Sequence, residues 1–258
     1  SKFGFWISSI TYRPDYTSPF NYPISNRVAW PSWGICFRGV TSRRHKRMNR
    51  LNKDVSKFRL DGQAALVTGS TRGIGWAIAR GMAESGSTVY VNGRDKKVLA
   101  ARCKNLIDLG YDAKPAFFDA TNIEAINRFL DYTETPIDIL VNNAAIRLRK
   151  PLNEISPKAF SEVLEANLTS IYAISRSFAA RLEDQQTNGS LINITSIAGP
   201  RARPGDPAYT AAKGGLEALT RSLAVELAPK VRCNAIAPGY FATDANAAYP
   251  HNEEVKQF

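Results

Sequence analysis

Three residues late in the chain have the types and spacing for acid–base chemistry: Ser196, Tyr209 and Lys213. Leu191-Ile192-Asn193-Ile194-Thr195 is an apolar, β-branched run of strand length, and it delivers Ser196 at its C-terminal end. A loop rich in glycine and proline follows (Gly199, Pro200, Pro204, Gly205, Pro207), and a helix is expected to open at about Tyr209. Four residues apart on that helix, Tyr209 and Lys213 share one face. A phenol titrates near ~10 in water, and an ammonium a few ångströms away favours the phenolate and lowers that value. Ser196 can hydrogen-bond the same substrate oxygen, which makes the trio a general acid/base site for a carbonyl or an alcohol. An ordinary solvated helical pair would look the same at Tyr209 and Lys213. The rest of the chain has to decide.

The elements that would position these residues alternate regularly from Leu60 onward. Strands are expected at 64–67, 88–92, 114–118, 137–141, 190–195 and 231–236. Helices are expected at about 74–84, 95–109 and 123–132, as two longer helices near 157–182, and at 208–228. Strands alternating with helices in this way give a parallel sheet covered on both faces. The expected fold class is therefore α/β, a doubly wound parallel sheet.

The turn after the first strand reads Thr68-Gly69-Ser70-Thr71-Arg72-Gly73-Ile74-Gly75. Glycines at 69, 73 and 75 between a strand and a helix permit the turn, the close approach of backbone to a pyrophosphate, and tight helix packing. Eighteen residues beyond Gly75 the second strand ends in Asn92-Gly93-Arg94. An acid at this point would bond a ribose 2′-hydroxyl. Arg94, with Arg72 inside the turn, instead suits a 2′-phosphate, so NADPH is expected to be preferred to NADH.

Composition narrows the alternatives. The 258 residues suffice for one large α/β domain or two small ones. No apolar run reaches eighteen residues, so no transmembrane helix is expected. Cys36, Cys103 and Cys233 are widely spaced and form no metal-type cluster, which suggests a reducing compartment and no bound metal. His45 and His251 sit near no nucleophile motif, so a Ser-His-Asp triad has little support. The formal charge of +11 is localised: residues 1–60 hold twelve Lys/Arg against Asp15 and Asp54 (12 − 2 = +10), and the remainder holds twenty-two basic against twenty-one acidic side chains (22 − 21 = +1). Residues 1–47 are basic and carry ten aromatics, with prolines at 14, 19, 23 and 31 that interrupt any regular element. They read as an N-terminal extension: sequence upstream of the true start, an organellar presequence, or an arm docking on a partner or nucleic acid. With the body neutral, a nucleic-acid partner is not expected.

Taken together, the Thr68-Gly69…Gly73-Ile74-Gly75 turn, Asn142-Asn143-Ala144, Asn167, Ser196, Tyr209 with Lys213, and Pro238-Gly239 resemble the short-chain dehydrogenase/reductase family over residues 60 to about 245. The resemblance implies a Rossmann-like single domain over 48–258 and a nicotinamide-dependent oxidoreductase. It implies that Tyr209 exchanges the proton with a carbonyl or alcohol, that Lys213 lowers its pKa and holds the nicotinamide ribose, and that Ser196 orients the substrate oxygen. Asn167 would anchor a water leading protons to Lys213, and Asp119 would meet the adenine. Gly69, Ser70, Arg72, Gly73, Ile74, Gly75, Arg94, Asn143 and Ala144 would line the cofactor, and Pro238, Gly239 and Thr243 would border the nicotinamide. NGRD, NNAAIRLRKPL and PGYFATDANAA look most like gluconate 5-dehydrogenases and the neighbouring 3-oxoacyl-carrier-protein reductase type. On the substrate side this nominates Arg147, Arg149, Ile197 and Arg203, an arginine being able to hold a sugar-acid carboxylate.

The expected function is interconversion of a ketone and a secondary alcohol, on a small polyol or sugar acid. The alternatives are a 3-oxoacyl-carrier-protein reductase-like enzyme and a catalytically silent relative serving in a larger assembly. A cytoplasmic homotetramer or homodimer is expected, or an organellar one if residues 1–47 target the chain. Ala145 stands where the family usually has glycine. The chain ends at Phe258, about fifty residues before the family's usual end, so the last strand and substrate-covering helices are expected to be missing and the natural enzyme to be longer.

Overall fold

The computed structural model describes residues 58–202 and 204–241. The 1–47 extension, Arg203 and Thr243 lie outside the described residues.

Six strands form one sheet: β1 (Ala64–Val67), β2 (Thr88–Gly93), β3 (Ala113–Phe117), β4 (Ile139–Asn142), β5 (Gly189–Ile194) and β6 (Val231–Ile236). All are parallel, in the order β3-β2-β1-β4-β5-β6. Pro115 has no N–H to give a ladder, and it sits on edge strand β3, where that loss is tolerated. The helices are α1 (Gly73–Glu84), α2 (Lys96–Asp108), α3 (Ile123–Tyr132), α4 (Pro157–Leu164), α5 (Ser170–Asp184), the short α6 (Ala198–Arg201) and α7 (Pro207–Glu226). Asp95 caps α2 by accepting from the backbone N–H groups of Lys97 and Val98, and Asn122 and Ser156 cap α3 and α4 in the same way.

Alternate side chains of each strand enter different cores. Ala64 and Leu66 of β1 join Phe178, Leu182, Ile126 and Leu130 beneath α3, α5 and α7. Ala65 and Val67 join Ala79, Ala83, Leu99 and Leu106 beneath α1 and α2. This two-sided burial explains why the central strands β1, β2 and β4 are buried along nearly their whole length. No helix among the described residues is long and apolar enough to cross a membrane.

The two longer helices expected near 157–182 are α4 and α5, which run on from one another through a π-helical turn at Glu165–Thr169 that contains Asn167. Two expectations need correction. The helix carrying Tyr209 begins at Pro207, because proline fits the first turn, where no intrahelical N–H bond is required. The stretch after Ser196 is not all loop; α6 occupies part of it.

Candidate active site

The strand order reverses around β1, with β2 on one side and β4 on the other. Ligands bind at such a switch, outside the carboxyl ends of the strands. A cleft of about 660 Å³ lies there, walled by Gly69, Thr71, Arg72, Gly73, Ile74, Gly75, Gly93, Arg94, Asp119, Asn143 and Ala144, among others. A smaller pocket of about 170 Å³ adjoins it, walled by Ser196, Ile197, Tyr209, Lys213, Arg147, Pro238, Gly239 and Tyr240. Ile74, Asn143 and Ala145 line both.

The glycine turn is built to admit backbone-to-ligand contact. Gly69 has φ +60°, and a Cβ there would stand 2.9 Å from the Cα of Ala144. A Cβ on Gly75 would strike the Asn143 side chain and lie 2.5 Å from the Gly69 carbonyl oxygen. Helix α1 starts without a side-chain cap and with no acid in its first turn, which leaves its N-terminal N–H groups to an anion. These residues fit the diphosphate of a dinucleotide. Asn92 holds the turn from below: its Oδ1 accepts from Gly69 N–H (2.9 Å), and its amide donates to the carbonyls of Ala116 and Phe118. Asn143 ties the next loop to the turn by donating to the Thr68 and Gly69 carbonyls (3.0 Å each).

Ser70 takes a different place from the one expected. It is fully buried, donates to the Val67 carbonyl (2.7 Å) and accepts from Asn92 N–H, so its hydroxyl braces the turn. Thr71 faces the cleft instead, and its methyl occupies the space a side chain on Gly93 would need. Asp119 accepts from Thr121 twice and pairs with Arg94 at 3.3 Å. Burial raises its pKa, but the Thr121 and Arg94 bonds outweigh it, and the carboxyl ends below its ordinary value.

At the inner pocket the three residues of the acid–base reading come together. Tyr209 and Ser196 are hydrogen-bonded, and Lys213 is almost wholly buried with its Nζ donating to the Ile194 carbonyl (2.8 Å). Burial lowers the Lys213 pKa to about 8. Burial also raises that of Tyr209, against the Arg147 charge and the Ser196 bond, which lower it; the Asp206 charge adds to the rise. The Lys213 ammonium lies 5.7 Å from the Tyr209 ring centroid while donating to the Ile194 carbonyl, and the Arg147 guanidinium lies 4.9 Å from the same centroid.

Asn167 is completely buried on the π turn. Its Oδ1 accepts from Ile146 N–H, and its amide donates to the Ile146 and Val163 carbonyls (2.9 Å each). Its side chain acts on the site through the loop that carries Arg147. π turns of this kind recur at functional sites. Arg147 is neither a solvated loop charge nor an open carboxylate receptor. It pairs with Asp206, which is fully buried, and its guanidinium lies 4.9 Å from the Tyr209 ring centroid. Arg149 approaches the same carboxylate at 3.7 Å.

Asp206 is a residue beside the pocket to which the sequence assigned no role. An Asp-Pro step at a helix start was visible, but it reads as a cap. Asn92 was missed as well; the legible signal was an asparagine closing a buried strand.

A dinucleotide cleft at the switch point, leading into a pocket where a buried lysine, a tyrosine and a serine converge, defines a nicotinamide-dependent oxidoreductase. The chain belongs to the short-chain dehydrogenase family, whose model matches residues 63–254. It is 36% identical over 201 residues to the gluconate 5-dehydrogenase of Gluconobacter oxydans, covering 76% of this chain and 78% of the relative. It is 37% identical to the 3-oxoacyl-[acyl-carrier-protein] reductase of Aquifex aeolicus, covering 78% and 82%. Among solved structures, it superposes with TM-score 0.73 on a gluconate 5-dehydrogenase from Burkholderia cenocepacia in complex with NADP and tartrate. That protein is 34% identical, and the match covers 78% of this chain and 80% of the other.

Proposed function

We propose that the protein interconverts a ketone and a secondary alcohol with NADP(H), acting on a small polyol or sugar acid. The carrying observation is the convergence of Ser196, Tyr209 and Lys213 on one small pocket that opens into the dinucleotide cleft. The bound nicotinamide supplies or accepts the hydride. Tyr209 gives its proton to the developing alkoxide oxygen in reduction and takes it back in oxidation. Ser196 directs a hydrogen bond to the same oxygen and fixes the carbonyl against the phenol. Lys213, held by the Ile194 carbonyl, stands under the pocket as the buried cation that the ribose and the phenol share.

Two features support the choice of substrate and cofactor. Arg147 lines the small pocket and Arg149 stands beside it at Asp206, and two guanidinium groups at this end of the site support an acid substrate. Arg72 and Arg94 on the cleft wall suit the 2′-phosphate of NADPH. The gluconate 5-dehydrogenase solved with NADP and tartrate, a hydroxy acid, agrees with both. A 3-oxoacyl-carrier-protein reductase activity is the second reading, favoured by the Aquifex aeolicus relative.

The test is NADPH-linked reduction of 5-keto-D-gluconate and of acetoacetyl-coenzyme A, with NADPH and NADH affinities measured by fluorescence titration. Faster turnover of the sugar acid, and tighter binding of NADPH, are expected. Tyr209→Phe is expected to lose 10²–10⁴-fold in turnover while still binding NADPH. Full activity in that variant would end the acid–base reading, and preference for the thioester would move the protein to the second one.

A further inference from the structure

The part of the glycine turn that carries Arg72 is tied to α2. Arg102 of α2 donates its Nε–H to the Thr71 carbonyl at 2.8 Å. The same guanidinium lies 4.8 Å from the ring centroid of Trp76 on α1, within cation–π range. Trp76 is partly buried against the core beneath α1 and α2, and its backbone N–H donates to the Arg72 carbonyl (3.2 Å). These contacts close a ring through Thr71, Arg72, Trp76 and Arg102. Both peptide groups flanking the Arg72 Cα are held, the one before it by Arg102 and the one after it by Trp76. Planar peptides leave only φ and ψ to set where a side chain departs, so pinning both neighbours fixes that direction. Arg72 occupies the cap position of α1 without a side-chain cap bond, and it lines the large cleft. Thr71 also meets the end of β2: its methyl covers Gly93, where a Cβ would stand 2.5 Å away. Gly93 leads directly into Arg94, which lines the same cleft and pairs with Asp119 at 3.3 Å. One braced residue, Thr71, thus stands between the two arginines of the cleft wall.

We propose that Arg102, stacked on Trp76, is a positioning residue that sets the discrimination between NADPH and NADH. It holds the Thr71–Arg72 segment so that Arg72 and Arg94 meet the 2′-phosphate together. The inference rests on reading those two arginines as the 2′-phosphate site. A guanidinium whose backbone is already set pays less ordering entropy when the phosphate arrives. The diphosphate is common to both cofactors, so a brace that merely kept the turn folded would serve them alike. A brace for Arg72 serves NADPH alone.

Calorimetric titration of the full chain with NADPH and with NADH reads the ratio of the two affinities, and no substrate is needed. Arg102→Met is expected to lower that ratio about tenfold, with NADH affinity within about twofold of wild type. Trp76→Leu removes no charge, and it is expected to lower the ratio about threefold in the same direction. Arg102→Lys keeps the charge and a donor but stacks less well, so its ratio is expected between wild type and Arg102→Met. The double variant Arg102→Met/Trp76→Leu should lose little more than Arg102→Met, because both residues act through one ring of contacts.

A ratio unmoved in Arg102→Met, or equal losses for the two cofactors, overturns the proposal. So does a loss in Arg102→Met with no change in Trp76→Leu, since the arginine would then act by its charge alone. Should either variant fail to fold, Arg102→Lys carries the test: a wild-type ratio there would also leave charge as the whole cause. Wild-type protein without a preference for NADPH would remove the cofactor reading and this inference with it. A wild-type preference that the variants leave intact removes the inference alone, so the two failures are told apart.

Discussion

Lys213 carries the sharpest consequence of burial at the scale of one residue. Its ammonium donates to the Ile194 carbonyl, and burial pulls its pKa from 10.5 to about 8. In the unfolded chain a lysine titrates near ~10.4. Between these two values the unfolded state binds more protons than the native state, so stability from this residue rises as pH climbs through that window. Below pH ~8 the penalty is present in full, and at neutral pH it amounts to roughly 3 kcal/mol. Lys213→Met removes it and is expected to unfold at higher denaturant than wild type at pH 7 despite losing activity. The stability difference should narrow by about 2 kcal/mol at pH 9.5. Chemical denaturation of both proteins at the two pH values checks this, and a gap independent of pH would show that burial is not what depresses the lysine. The residue is kept at a cost to stability, as expected of a side chain retained for chemistry.

The glycine turn and the π turn do related work at the scale of the element. Each bends a regular element so that a backbone or side-chain group reaches a neighbouring loop. At the glycine turn the requirement is steric. Gly75→Ala would place a Cβ 2.5 Å from the Gly69 carbonyl oxygen and against Asn143, closing the approach of a diphosphate to the start of α1. That variant is expected to weaken NADPH binding at least tenfold, as read by fluorescence titration, with a thermal midpoint only a few degrees lower. Unchanged affinity would mean that the α1 N-terminus is not the diphosphate site. The position of the turn was legible because glycines interrupt a strand-to-helix junction. Its support was not, because Asn92 comes twenty-three residues after Gly69 and meets it only once β1 and β2 pair. The π turn was not legible either. Nothing in Glu165–Thr169 breaks helical periodicity, and the extra residue is held by bonds from Asn167 to Ile146, twenty-one residues away.

For the molecule as a whole, two cores on opposite faces of one sheet hold the cleft at the ends of the strands. Phe178 is among the largest wholly buried side chains. It lies under the β4–β5 region with Leu182 and Leu191, and a side chain on Gly189 would meet it at 3.1 Å. With a neighbour so close and the sheet unable to collapse inward, Phe178→Ala is expected to cost about 3–5 kcal/mol. Urea denaturation should show that loss, with NADPH affinity per folded molecule unchanged. A cost below ~1 kcal/mol would mean that this core relaxes far more than its packing suggests. The same sheet carries a polar seam between the cores: Asn142 donates to Asn193 Oδ1 (2.9 Å) and to Ser175 Oγ, and Asn193 donates to Thr220 Oγ1 (2.9 Å). That seam locks β4, β5, α5 and α7 in register behind the pocket.

By itself the sequence determined the order and type of the elements, because short, mostly apolar runs alternate with amphipathic helical stretches and turn residues separate them. It also nominated Ser196, Tyr209 and Lys213 as the acid–base trio, since helical spacing places Lys213 one turn from Tyr209 and the glycine turn earlier in the chain supplies the cofactor context. Tertiary structure decided what those residues experience. Whether an arginine stands beside Tyr209 depends on how the loop after β4 crosses the start of α7, where Arg147 meets Asp206 fifty-nine residues later in the chain. Whether Asp206 caps a helix or pairs with an arginine depends on the same crossing. Charge and burial act through space, and no local pattern carries the distance between Arg147 and Asp206.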